Sequence, residues 1–583
     1  MCGIAGLVTR NGAAPSTVTL QKLAQALAHR GPDGHAVRVV ASAGLVHTRL
    51  AIVDLAGGAQ PLVASDNVAL IANAEIYNDL DLRRTLSDAA YATGSDCESA
   101  LHAYRRYGET FAAHLRGMYA IAVHDPAKEV MLLARDPFGI KPLYLADVAD
   151  GLCFASEPQA LMAAGLVPPR VNAAAAQELL ALQFTNGLET AFAGITRVAP
   201  GETLVIEKGR VVRRHTVPAL PPAGLLQLTE DEALAVFDAA WRDSIQVHRR
   251  ADVPYGMFLS GGIDSSSVLA MMAAQEPRAV LAYTAAFPGT AAHDERAQAQ
   301  SVAQAFGATH IEVEITPADF WARLPEIAAC MDDPVADYAV IPSYLLAERA
   351  KKDVKVILSG EGGDELLAGY GRYRAGVRPW PFRKTPWRKS ALFDAGVLRT
   401  KADWRAGMDA AEARVETAGY RGLQAVQALD IATWLPNDLL LKVDRCLMAH
   451  GIEGRVPFLD PAVAKAVFGL PDGLKLRQGL GKRLLRRWLG QALPGYPALA
   501  RKKGFSVPVA EWIAEQAARL APLVAAQPGV AELCEPEAVR GLFAHASAKH
   551  GTARWLLLFY ALWHNRHILG RKAEGDVFAA LTH

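Results

Sequence analysis

Cysteine stands second in this chain, and that position opens a specific chemistry. Removal of Met1 would place a thiol and a free α-amine on one residue, Cys2. An α-amine titrating at roughly 7.7–8.0 can act as base for the thiol beside it near neutral pH. Gly3 lets the backbone come close to a substrate. Taken alone, Cys2 equally suits a small residue before a first strand. Two later segments suit phosphate. Phe258-Leu259-Ser260-Gly261-Gly262-Ile263-Asp264-Ser265-Ser266 follows an apolar run and opens a helical one. Its glycines permit a tight turn, so that backbone N–H groups, the hydroxyls of Ser260 and Ser265 and a helix N-terminus face one point. Ser359-Gly360-Glu361-Gly362-Gly363-Asp364-Glu365 repeats that logic after the run Val354 to Leu358. Asp264 and Asp364 offer the oxygen ligands that Mg²⁺ takes beside a triphosphate, although Asp364 would also serve as a helix cap. A Walker A loop is absent from the sequence.

These groups need rigid elements behind them. Up to about residue 210 the chain reads as many short strands, among them Gly3 to Val8, Ala43 to Thr48, Val68 to Ala72, Met118 to Asp125, Val130 to Arg135 and Leu152 to Ala155. Helices are expected over Thr19 to His29 and Cys97 to Tyr107. The Pro-rich stretch Val217 to Gly224 reads as a linker. From about Thr229 the period changes. A helix over Glu230 to Arg249 leads into strands at Val253 to Leu259, Val280 to Phe287, His310 to Ile315 and Val354 to Leu358, alternating with helix-length segments. That alternation predicts a doubly wound parallel sheet, with a mostly helical region beyond about residue 380. The expected division is residues 1–210, a linker at 211–228 and a second domain at 229–583.

The bulk numbers agree with a globular protein of two or more domains. The chain has 583 residues, 51% hydrophobic and 21% charged, with a formal net charge of +1. A near-neutral chain gives no electrostatic case for nucleic acid or an anionic membrane as partner. The basic stretches Lys482 to Arg487 and Arg501 to Lys503 suit a solvated face or one phosphorylated ligand. Six cysteines lie far apart without a C-x-x-C pair, which suggests neither a zinc site nor a disulfide framework. The N-terminal ten residues do not read as a secretory leader, so a cytoplasmic location is expected.

Four segments follow Cys2 in order: His29-Arg30-Gly31-Pro32-Asp33, Thr48-Arg49-Leu50-Ala51-Ile52-Val53-Asp54, Asn73-Ala74-Glu75-Ile76-Tyr77-Asn78 and Ser95-Asp96-Cys97-Glu98. Together they resemble the glutaminase domain of class II glutamine amidotransferases, over about the first 200 residues. That resemblance implies an N-terminal-nucleophile hydrolase fold, an αββα sandwich, with Cys2 as nucleophile. The set suits glutamine. Arg49 would hold its α-carboxylate, with Leu50, Ala51, Ile52 and Val53 beside it, and Glu75 and Asp96 its α-ammonium. Asn73 and the backbone N–H of Ala74 would face the oxyanion of a tetrahedral intermediate. The family usually has glycine where Ala74 stands, and a positive φ there would strain alanine.

The Ser260 loop resembles that of the PP-loop ATP pyrophosphatases. Lys442-Val443-Asp444-Arg445, Ala449 to Asp460, Gly481-Lys482-Arg483 and Arg501-Lys502-Lys503-Gly504-Phe505 extend a resemblance to the asparagine synthetase family over about 230–515. It implies that Phe258 and Ala285 flank the adenine of ATP, that Ser260, Gly261, Gly262 and Ser265 hold its phosphates, and that Ser359 and Gly360 also touch the nucleotide. Lys482 would stabilise charge during adenylation and Glu361 would assist proton removal when ammonia attacks. Gln159 and Gly454 depart from the family's commoner lysine and bulkier residue. The implied reaction has two parts. Cys2 releases ammonia from glutamine through a thioester. A substrate carboxylate attacks the α-phosphorus of Mg·ATP, and ammonia arriving through a sheltered interdomain passage displaces AMP. Aspartate is the acceptor the family implies; an acid of a sugar, peptide or other metabolite, or a non-catalytic glutamine- or ATP-binding regulator, are the competing readings. The intact Cys2, Arg49, Asn73, Glu75 and Asp96 speak against the regulator. A homodimer is the family's common form.

Overall fold

The computed structural model describes residues 2–290, 292, 294–377, 390–500, 506–544 and 550–582. The segment Arg501-Lys502-Lys503-Gly504-Phe505 lies outside the described residues. The N-terminal part contains twelve strands: β1 (Gly3–Thr9), β2 (Gly34–Val40), β3 (Ala43–Arg49), β4 (Leu62–Val63), β5 (Ala69–Ile76), β6 (Gly117–Asp125), β7 (Val130–Arg135), β8 (Tyr144–Val148), β9 (Gly151–Ala155), β10 (Thr196–Arg197), β11 (Glu202–Glu207) and β12 (Arg210–Thr216). They form two six-stranded sheets, ordered β10-β8-β9-β1-β3-β2 and β12-β11-β7-β6-β5-β4, with antiparallel pairing between the named neighbours. β12 carries this domain's second sheet as far as Thr216.

The inner faces meet through Ile4, Leu45, Ile71, Ala122, Leu133, Phe154 and Leu204. Helix Thr17–Ala26 covers the outer face of the first sheet and helix Cys97–Tyr107 that of the second. The result is the expected αββα sandwich. Because both faces of β1 are covered, all seven of its residues are buried and it shows no polar alternation. The first helix begins at a Ser16 cap, whose hydroxyl accepts the Thr19 N–H, and ends before the turn Ala28–Arg30. That turn sends Arg30 inward, where it is fully buried.

In the second part, β13 (Tyr255–Phe258), β14 (Leu281–Ala286), β15 (Thr309–Glu314), β16 (Val356–Leu358) and β17 (Glu453–Arg455) form one parallel sheet ordered β15-β14-β13-β16-β17. The order runs outward in both directions from β13 and β16. The crevice at their carboxyl ends is therefore the switch point at which such sheets bind ligands. The Ser260 loop leaves β13 and the Ser359 loop leaves β16, so both open into that crevice. β13 is shorter than the sequence suggests, since Pro254 has no amide to give a ladder. β17 escapes sequence detection. Its three residues, Glu453, Gly454 and Arg455, carry two charges and a glycine, yet all are buried. Beyond residue 390 the described chain is helical apart from this strand; the buried helix Gly551–His567 is followed by the short helix Val577–Thr582.

Candidate active site

Two constellations emerge, one in each half. Cys2 lies buried just before β1. Its backbone nitrogen donates to Asn73 Oδ1 at 3.1 Å, while Asn73 Nδ2 is buried with no hydrogen-bond partner. That orphan donor suits an oxyanion. On the edge of β5 facing away from β6, the Ala72 N–H donates to Gln60 and the Ile76 N–H to Asp96 Oδ2, each at 2.6 Å. Alternate residues of a strand point the same way, so the Ala74 N–H lies on that edge between them. Ala74 has no positive φ. The strain considered for alanine in place of glycine is absent, because a regular strand holds this residue opposite Tyr119.

Electrostatics set the protonation of this site. Burial pushes the Cys2 thiol up and pushes Asp96 up to about 6. Glu75 is raised well above the usual range by burial, although Arg455 pulls in the other direction. Glu75 Oε2 lies 2.9 Å from Arg455 Nη2, and its Oε1 has no hydrogen-bond partner. Arg49 is half-buried at the end of β3 and donates to the carbonyls of Leu55 (3.1 Å) and Asp54 (2.7 Å). Leu50 and Ile52 are buried among core residues; Ala51, whose N–H donates to Asp33, and Val53 are partly open. Asn73, Glu75 and Asp96 thus gather around Cys2's strand, with Arg49 at the end of the neighbouring one.

In the second half, Gly261 takes a left-handed φ of 72° that suits glycine, and a side chain there would strike the Ala299 backbone. The Gly261 carbonyl is held by Gln298 Nε2 (2.8 Å) and Tyr496 OH (2.9 Å). Ser260 and Ser265 are linked hydroxyl to hydroxyl at 3.2 Å. The helix Ile263–Gln275 starts here, with Asp264 in its first turn. The two loops touch: a Cβ on Gly360 would lie 2.9 Å from Asp264 Cβ. Lys482 pairs with Asp264 and, at 2.7 Å, with Asp364. Its burial favours the neutral amine, but these two carboxylates outweigh that and raise its pKa. Phe258 and Ala285, on adjacent strands, are half-exposed at the crevice. Ser359 is buried with its hydroxyl unpartnered, and Glu361 beside it is raised by burial.

The chain's two halves match separate family models. Residues 1–216 match the glutamine amidotransferase domain, and residues 237–565 match asparagine synthase. The chain belongs to the asparagine synthase family. It is an enzyme joining a glutamine amidotransferase domain to an ATP-binding synthase domain. Among its relatives, a putative glutamine-hydrolyzing asparagine synthetase of Mycobacterium tuberculosis is 34% identical over 97% of both chains. Asparagine synthetase 1 of Bacillus subtilis is 32% identical over 97% of both, and the enzyme of Asparagus officinalis is 28% identical over 84% of this chain and 72% of its own.

Side chains that join the halves of this asparagine synthase family member carry less sequence signal. Arg30 donates to the Cys2 carbonyl (3.2 Å), to Glu157 (2.7 Å) and twice to Asp444 (2.8 and 3.0 Å). Arg445 adds Asp332 at 2.6 Å. Gln159, in place of lysine, donates to Glu157 at 2.5 Å and so caps this buried cluster. Arg455 bridges more directly. Its guanidinium meets Glu75 and Glu453, while its carbonyl accepts the Ser359 N–H at 2.9 Å. One residue therefore touches both sites. Gly454 is explained by packing, since a side chain there would meet Leu447 at 2.7 Å and Val443 at 3.1 Å. Glu365 carries no distinct signal in the sequence. Burial beside Asp364 raises it to about 8, and Tyr370 OH donates to it at 2.8 Å.

Proposed function

We propose that this protein is a glutamine-dependent asparagine synthetase, converting aspartate, glutamine and ATP to asparagine, glutamate, AMP and pyrophosphate. The observation that carries the proposal is Arg455, one buried residue shared by the Cys2 site and the second glycine loop. With Met1 removed, the Cys2 amine held by Asn73 takes the thiol proton and the thiolate attacks the glutamine amide. Asn73 Nδ2 and the Ala74 N–H stabilise the oxyanion, Arg49 binds the α-carboxylate, and Glu75 and Asp96 bind the α-ammonium. Ammonia leaves, and water later hydrolyses the thioester.

At the second site, Ser260, Gly261, Gly262, Ser265, Ser359 and Gly360 hold the triphosphate, with Phe258 and Ala285 beside the adenine. The converging oxygens of Asp264 and Asp364 fit a hard cation. Among the described residues no group of three or more His, Cys, Asp or Glu forms a metal site by itself, so phosphate oxygens and water would complete the shell. Mg²⁺ bound by Asp264 and Asp364 would supply charge neutralisation for the leaving pyrophosphate. Lys482, buried at the junction of the two loops, would meet the α-phosphoryl oxygens while the acceptor carboxylate attacks. Glu361, raised by burial, accepts a proton from the attacking ammonia. Among the described residues no helix is long and apolar enough to cross a membrane. Incubation with glutamine, Mg·ATP and aspartate tests the reading. Equal amounts of asparagine, AMP and pyrophosphate support it, whereas ADP and inorganic phosphate would refute the adenylation step.

A further inference from the structure

Near Glu361 lies a group of charges that neither half-reaction above uses. Asp438 sits in the π-helical turn Leu435–Leu439 and is fully buried. Neither of its carboxylate oxygens has a hydrogen-bond partner. A π turn adds one residue to a helix and recurs at functional sites. A buried carboxylate left without donors is costly unless a ligand supplies them. The neighbouring cations are committed elsewhere. Lys442 Nζ donates to Asp337 Oδ2 at 2.6 Å, and Arg372 Nε donates to Asp430 Oδ2 at 2.8 Å. Asp337, Lys442, Glu361 and Arg372 all act on Asp438 electrostatically. Three carboxylates, those of Asp337, Glu361 and Asp438, thus share one lysine.

Carboxylates outnumber cations around Asp438 even with Arg372 counted, and its own oxygens lack donors; a primary ammonium supplies both charge and donors. Water would bring donors without charge. A metal ion would need a tighter ring of oxygens than any among the described residues. We infer that Asp438, supported by Asp337, receives the α-ammonium of the amide acceptor, so that the acceptor is an amino acid and not a plain carboxylic acid. The inference rests on the proposal that the acceptor is activated beside Glu361. Anchoring the ammonium there leaves the acceptor's distal carboxylate for ATP.

Aspartate and succinate differ by this ammonium alone and so provide the test. Pyrophosphate release from Mg·ATP would be followed for both acids with saturating ammonium chloride, in the full-length protein and in Asp438→Asn and Asp438→Glu. Wild-type protein should prefer aspartate at least about 100-fold, as a site built for a charged donor does. Asp438→Asn should lose about 100-fold in kcat/KM for aspartate, mostly in KM, and under threefold for succinate; Asp438→Glu should recover part of the loss. Glutaminase turnover reports whether each variant folds. Equal use of the two acids by wild type, or an equal fall on both in Asp438→Asn, overturns the inference. If wild type uses neither acid, aspartate is the wrong acceptor. The inference is then judged by the acid that is used: an acceptor without an ammonium overturns it, and one that loses turnover when deaminated supports it.

Discussion

Replacing Gly369 by alanine should disable adenylation with a single methyl group. Gly369 follows the short helix Gly363–Leu367 and does not take a left-handed φ, so its backbone accepts alanine without strain. The space does not. An added Cβ would lie 2.8 Å from Asp364 Cγ, inside the 3.0 Å that real side-chain carbons keep, and closer still to Asp364 Oδ1 and Lys482 Cε. The carboxylate and the lysine stem must each give way by on the order of an ångström, a misplacement that costs roughly 100-fold in rate. That is about 2.7 kcal/mol of transition-state stabilisation. The atoms nearest to that Cβ all belong to Asp364 and Lys482, so the glutaminase site should keep its rate. Pyrophosphate–ATP exchange in the presence of aspartate, run beside glutamate release from glutamine, separates the two. Exchange within threefold of wild type would refute the idea that the Asp364–Lys482 pair is built for this step. An equal loss of both activities would refute the claim that the damage is local.

Other outcomes follow from the same geometry. Cys2→Ala removes the nucleophile from a buried position; glutamine-dependent synthesis should fall at least about 10³-fold while ammonia-dependent synthesis stays within about twofold. Asp96 keeps its proton up to about pH 6 and can hold an ammonium only when ionised, so kcat/KM for glutamine should drop about tenfold per unit below that pH. A profile without an inflection near 6, or one unchanged in Asp96→Asn, would contradict this. Arg455→Lys keeps the charge, but one ammonium cannot span Glu75, Glu453 and the carbonyls of His248 and Arg250. Each charged hydrogen bond lost should cost about 1.5–3 kcal/mol. A lower thermal midpoint with impaired glutaminase is the expected result, and unchanged values of both would remove Arg455 from its linking role.

Much of this architecture is legible in the sequence because it rests on local chemistry. The glycines of the two phosphate loops announce tight turns, and the helix Cys97–Tyr107 and strand Val130–Arg135 lie where periodicity places them. What escapes is long-range pairing of charge. β17 is missed within a stretch expected to be mostly helical, because Glu453 and Arg455 become strand residues only once Glu75, Lys141 and the His248 carbonyl surround them. Asp438 is hidden for a related reason, since nothing in Leu-Pro-Asn-Asp-Leu tells a solvated carboxylate from a buried one. The consequence of Ala74 needed coordinates too, because only the backbone shows that a β conformation makes glycine unnecessary there.

On the proposed mechanism the two sites work as one catalyst across the contact made by Arg30 and Arg455. Glutamine labelled with ¹⁵N in its side-chain amide, supplied with aspartate, Mg·ATP and a moderate excess of unlabelled ammonium, tests it most directly. Coupled sites should give asparagine whose amide carries predominantly ¹⁵N. Label diluted to the isotopic composition of the bulk ammonium would contradict it.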